Sequence, residues 1–120
     1  MSGRNAVIAE DAYNITIDGI KAKYISHFEN QTGNWQSQWS GNTGIVVSGR
    51  NNIIKNCTLE NSAGPALCVI AFGNKVLNNT ISDANYTCSN SGALNTEAQN
   101  LDTEIGFNTI TNYHCNGYKL

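Results

Sequence analysis

One feature constrains this chain more than any other: it repeats itself, and periods of 20–50 residues are the mark of stacked architectures. Four segments share a pattern: residues 20–25 (IKAKYI), 54–59 (IKNCTL), 76–81 (VLNNTI) and 105–110 (IGFNTI). Each opens on a β-branched apolar residue and places another aliphatic residue five positions later. A looser series of Gly-led islands lies between them, starting at Gly44, Gly64, Gly92 and Gly117. Two apolar positions five apart cannot share one face of a straight strand, whose side chains alternate. A bend between them resolves the conflict. Asn suits the bend, because it tolerates a left-handed backbone; Asn79 and Asn108 stand at equivalent places, with Cys57 and Lys23 in the other two turns.

Composition supports strands and turns over helices. The 120 residues include 19 Asn and 11 Gly against one Pro, and only 13% are charged. Short Ile, Val and Leu islands separated by Asn, Gly and Ser sustain no 3.6-residue period. A 22-residue unit cannot bury its own apolar face, whereas stacked units can. The reading is therefore all-β: a single domain over residues 1–120, wound as a parallel β-helix of about four coils. Ile20, Ile54, Val76 and Ile105 form one expected interior ladder; Ile25, Leu59, Ile81 and Ile110 form another. Residues 1–12 are a candidate N-terminal cap, residues 28–43 a Trp-containing loop and residues 82–92 a long loop between coils. The final island from Gly117 ends without a capping segment. This implies a fragment of a longer chain or a homo-oligomer.

Several functional classes are disfavoured. The net charge is -2 with no basic run, so the electrostatic footprint of a nucleic-acid binder is missing. No apolar stretch approaches the 18 residues of a membrane span, and no signal-peptide pattern opens the chain. The four cysteines, Cys57, Cys68, Cys88 and Cys115, match no zinc spacing. Buried thiols and disulfides both remain open. Five Asn-x-Thr triplets, at Asn14, Asn30, Asn56, Asn78 and Asn85, lean towards a secreted or cell-surface protein.

Segments 51–61 (NNIIKNCTLEN) and 74–84 (NKVLNNTISDA) resemble the repeats of right-handed parallel β-helix proteins. That superfamily includes pectate lyases, polygalacturonases, alginate lyases and epimerases, and phage tailspikes. The resemblance covers roughly residues 12–120 and implies the right-handed coil. It speaks to scaffold more than to activity. It also implies a polysaccharide as the partner, bound or cleaved by a lyase or glycoside hydrolase. The alternative is a non-catalytic adhesion or tailspike-like module. Residues 81–96 are similar to a longer coil in glycan-directed members, but Asn95-Thr96-Glu97 matches the polygalacturonase motif only in part.

The candidate site residues come from chemistry. Trp35 and Trp39, among Asn, Gln and Ser, offer flat apolar faces and hydrogen bonds for pyranose rings, as does Tyr86. Glu97 and Asp83 are the candidate catalytic carboxylates, since glycosidases use two across the scissile bond. His114, and less so His27, is a candidate general base near neutral pH. Ca²⁺ held by clustered Asp, Glu or Asn oxygens is a conceivable cofactor that would neutralise a uronate. Lys23, Arg50, Lys55 and Lys75 are available cations without a recognisable motif.

Overall fold

The structure, a computed structural model, describes residues 5–25, 43–86, 92–97, 101–114 and 116–119. The first coil carries β1 (Val7–Tyr13), β2 (Thr16–Asp18) and β3 (Lys21–Lys23). The second carries β4 (Ile45–Arg50), β5 (Ile53–Lys55) and β6 (Thr58–Ser62). In the third lie β7 (Leu67–Ile70), β8 (Lys75–Leu77) and β9 (Thr80–Ala84). The fourth has β10 (Gly92–Glu97), β11 (Glu104–Gly106) and β12 (Thr109–Thr111), and β13 (Asn116–Lys119) begins a fifth.

Strands one coil apart pair in parallel and form three sheets, in the orders β1-β4-β7-β10-β13, β2-β5-β8-β11 and β3-β6-β9-β12. The chain is a right-handed parallel β-helix of about four coils, its strands about 4.8 Å apart along the axis. Val7 to Tyr13, which overlaps the segment 1–12 expected as a cap, is already the first strand of the first sheet, paired with β4. Strands also occupy both ends of the expected 82–92 loop, since β9 runs to Ala84 and β10 starts at Gly92.

Like side chains pile over like in the interior. Ile54, Val76 and Ile105 stand in one ladder, and Leu59, Ile81 and Ile110 in the next. Ile54, Val76, Leu59 and Ile81 are fully buried. In the first sheet, Val7, Ile45, Leu67 and Leu94 align, and Val47 stands beside Val69. The first-coil members differ from the sequence expectation. Ile17, not Ile20, pairs with Ile54, and Ala22, not Ile25, pairs with Leu59. The Gly-led islands also shift: Gly44, Ala66, Ala93 and Gly117 are the equivalent positions, while Gly92 pairs with Asn116.

The corners explain these shifts. Each coil has three, and the turning residue has a positive φ every time. The first corner uses Asn14, Asn51, Gly73 and Asp102; the second uses Gly19, Asn56, Asn78 and Phe107; the third uses Tyr24, Asn61, Asp83 and Asn112. Within every coil these residues are spaced five apart. Ten of the twelve are Asn, Asp or Gly, the residues that enter the left-handed region at least cost. Ile17 takes the ladder position because Gly19 makes the turn two residues later, as Asn56 does after Ile54. Ile20 then falls on the position after the turn, shared with Cys57, Asn79 and Asn108. The left-handed residue is thus the one before Asn79 and Asn108, contrary to the sequence reading.

The amides after the turns have a separate task. Asn79 Oδ1 accepts from the Cys57 N–H at 3.0 Å, and Asn79 Nδ2 donates to the Ile54 carbonyl at 3.1 Å. Asn108 repeats this on the third coil, accepting from the Asn79 N–H and donating to the Val76 carbonyl. At the first corner, Asn52 accepts from the Ile15 N–H and donates to the Ala12 carbonyl. Asn74 likewise accepts from the Asn52 N–H and donates to the Gly49 carbonyl. Asn52, Asn74 and Asn79 are buried, so each satisfies backbone groups that water cannot reach.

Candidate functional site on the third corner

The third corner has no such amide ladder. The residue after its turn is Ile25, Ser62, Ala84 or Tyr113, and size there is matched by the next strand. A Cβ on Gly44 would lie 2.1 Å from Ile25 Cδ1, and one on Gly117 would lie 2.8 Å from the Tyr113 ring. Where the corner residue is small, Ser62 or Ala84, the equivalent position is Ala66 or Ala93. Large faces Gly and small faces Ala, so the corner packs by shape. Its outer surface is left to vary.

That surface carries aromatic rings. Tyr24, Tyr86 and Tyr113 are 65%, 44% and 48% exposed. Tyr24 is itself the turning residue, at φ 56°. A bulky side chain costs about 1–2 kcal/mol in that conformation, and strain held on an exposed ring points to use. Asn61, Asp83 and Asn112 are the turning residues of the other coils. Asp83 is exposed, and so is His114. The His114 N–H donates to the Ala84 carbonyl at 3.2 Å, and Asn85 Nδ2 donates to the His114 carbonyl at 3.2 Å. Three of the sequence candidates, Asp83, Tyr86 and His114, therefore come together on adjacent coils.

The remaining candidates lie elsewhere. The backbone of Glu97 pairs with Ile70 at the far end of β10. Five strand residues separate it from the corner at Gly92, about 16 Å. Trp35, Trp39 and His27 lie outside the described residues, as do Cys88 and Cys115. Tyr24 and Tyr113 escaped the sequence reading. The five-residue spacing of turning residues is the signal that would have placed both on one corner.

Three ion pairs join neighbouring coils. Lys23 bonds Glu60, Lys55 lies 3.4 Å from Asp18 and Lys75 lies 2.9 Å from Glu104. Each pair joins directly opposed residues of neighbouring strands, the arrangement that favours one register. Asp18 also accepts from Asn56 Nδ2 at 2.7 Å. That hydrogen bond, with help from Lys55, holds its carboxyl below the usual carboxylate value. The Glu60 carboxylate raises the Lys23 ammonium. Arg50 sits 5.2 Å from the centre of the Phe72 ring, within cation–π range. Asp102 makes the first-corner turn.

Among the described residues, no three His, Cys, Asp or Glu side chains cluster to hold a metal ion. Cys57 is a buried thiol whose Sγ donates to the Lys55 carbonyl. Burial pushes its pKa up, against the pull of the Ile20 and Gly19 N–H groups that face the sulfur. Cys68 is fully buried in β7. Among the described residues, no helix is long and apolar enough to cross a membrane.

The arrangement offers flat apolar rings beside amide, carboxylate and imidazole groups, along an edge that advances one coil at a time. Comparison with known proteins adds no assignment: the chain matches no family model, no curated protein and no solved structure.

Proposed function

We propose that the chain is a polysaccharide-binding β-helix module that holds an extended, extracellular or cell-surface polymer along its third corner. The observation that carries this reading is that three exposed tyrosines, Tyr24, Tyr86 and Tyr113, lie at or within three residues of the third-corner turns of the first, third and fourth coils. A pyranose ring has an apolar face that stacks on an aromatic ring and hydroxyls that bond to amides and carboxylates. The coil rise of about 4.8 Å is close to the length of one sugar unit, so successive coils meet successive units. Asn61, Asp83 and Asn112 supply the polar partners between the rings.

Binding without cleavage is preferred because charge is spent elsewhere. Lys23, Lys55 and Lys75 pair across coils, and Asp83 stands a strand's length from Glu97. Cleavage is the second reading, favoured by Asp83 and His114 on the tyrosine-bearing corner. Titration calorimetry against neutral and acidic polysaccharides, with and without Ca²⁺, tests both. Binding weakened by Tyr24→Ala and Tyr86→Ala, without product, supports the module. Product formation lost in His114→Ala or Asp83→Asn would replace it with the enzyme. No binding to any polymer would remove the glycan reading.

A further inference from the structure

Of the five Asn-x-Thr triplets, four begin within the described residues, at Asn14, Asn56, Asn78 and Asn85; Asn30 lies outside them. All four Asn hold a left-handed backbone, with φ between 53° and 58°. In three of them the stack already employs the amide nitrogen. Asn56 and Asn78 are consecutive turning residues of the second corner, and their exposed side chains link the coils. Asn56 Nδ2 donates to Asp18 at 2.7 Å, and Asn78 Nδ2 donates to Asn56 Oδ1 at 2.8 Å. The Thr two positions on belongs to a column of directly paired residues, Thr58, Thr80 and Thr109, and cross-strand Thr pairs stabilise a sheet. The fold thus accounts for both triplets without any modification. Asn85 is buried, and its Nδ2 donates to the His114 carbonyl.

Asn14 is the exception. It is exposed, and among the described residues only its main-chain N–H is bonded, to the Arg50 carbonyl. Nor does the first corner call for Thr two positions on, because Thr16 stands in register with Ile53, Lys75 and Glu104. Thr16 is exposed as well. The residue between them, Ile15, packs against the core and leaves the two polar side chains on the surface. The Tyr13 ring, 61% exposed, directly precedes Asn14 and offers an apolar face beside any group joined to that amide.

We propose that Asn14 is a modification site, the acceptor of an N-linked oligosaccharide. The proposal rests on the extracellular or cell-surface part of the reading above and not on polysaccharide binding. The donor class is an oligosaccharide carried on a lipid diphosphate. Asn14 Nδ2 bonds to the first sugar's C1 as the C1–O bond breaks. The lipid diphosphate leaves with the electron pair, the amide proton passes to a base of the transferase, and nothing is oxidised or reduced. Asn56 and Asn78 are poorer acceptors, because a sugar on either nitrogen competes with the links between coils. Asn85 is closed to modification in the folded chain.

The test secretes the full 120-residue chain from eukaryotic cells. Treatment with a peptide N-glycosidase in heavy-oxygen water then turns each glycosylated Asn into a labelled Asp, read by mass spectrometry. Label at Asn14 in most molecules, above the level at Asn56 and Asn78 and absent from Asn85, is expected. Thr16→Val removes the acceptor pattern and keeps a β-branched residue in β2. It is expected to lose the Asn14 glycan, and to melt with the unmodified parent when both are made unglycosylated in bacteria. Asn14 unlabelled, Asn14 labelled no more than Asn56 or Asn78, or label at Asn85 in the folded protein would each overturn the assignment. The polysaccharide titrations use unglycosylated protein, so the two proposals fail independently.

Discussion

The second and third corners turn the chain by the same device and differ in the residue placed directly after the turn. Both use a left-handed residue, Asn56 and Asn78 at one and Asn61 and Asp83 at the other. At the second corner of the third and fourth coils the next residue is an amide, Asn79 or Asn108, bonded into the coil before; in the second coil it is the buried Cys57. At the third it is an aliphatic, small or aromatic residue fitted by size to a Gly or Ala. Where the amide is present it is held in place, because a replaced Asn79 strands the Cys57 N–H and the Ile54 carbonyl. Tyr24, Tyr86 and Tyr113 stand exposed at or near the third corner, while Tyr13 is exposed at the end of β1 and Phe107 at a second-corner turn. On the proposed reading, the solenoid keeps one edge for stacking and frees another for recognition.

The comparison breaks most sharply in the core that both corners share. Ile81→Asp places a carboxylate in a fully buried ladder and is expected to cost more than about 4 kcal/mol, unfolding the domain. Near-native thermal melting of that variant would refute the ladder. Asn79→Ala should cost about 2–4 kcal/mol through the unmet N–H and carbonyl. Asn61→Ala at the third corner should cost about 1–2 kcal/mol, the left-handed penalty alone. Equal losses in urea unfolding would erase the distinction between the corners. Tyr24→Ala should leave stability unchanged or raised, because the ring is exposed and strained, and should weaken polysaccharide binding about tenfold.

The smallest effect is the pH dependence of the first junction. Asp18 has a lowered pKa, so its contribution is complete above the ordinary value of 3.8 and is lost as pH falls through the lower folded value. Lys23 is raised, so its contribution is complete below 10.5 and is lost as pH rises through the folded value. Asp18→Asn should remove the acid-side loss and leave the alkaline one. Melting curves across both ranges would show whether the two separate.

The later coils were legible because Ile54, Val76 and Ile105 open segments with the same spacing, and Thr precedes each second aliphatic residue. The first coil was not. Ile17 and Ile20 are both β-branched, and each has a residue five positions on that a core accepts. Only the turn decides between them, through Gly19. The Asn52–Asn74 ladder was hidden for a related reason: in a chain with 19 Asn, a buried amide reads like a turn former. Of the site, Asp83, Tyr86 and His114 were legible as chemistry. That they share a corner with Tyr24 was not, since Tyr24 and Asp83 are far apart in the chain and only the coil register unites them.

Methyl–methyl nuclear Overhauser contacts test the register most directly. The account predicts cross-peaks from Val76 to both Ile54 and Ile105, and from Ile54 to Ile17 rather than Ile20. Contacts from Ile54 to Ile20 alone would shift the first coil back by three residues and dissolve the tyrosine edge. Val76 without contacts to either neighbour would contradict the stack itself.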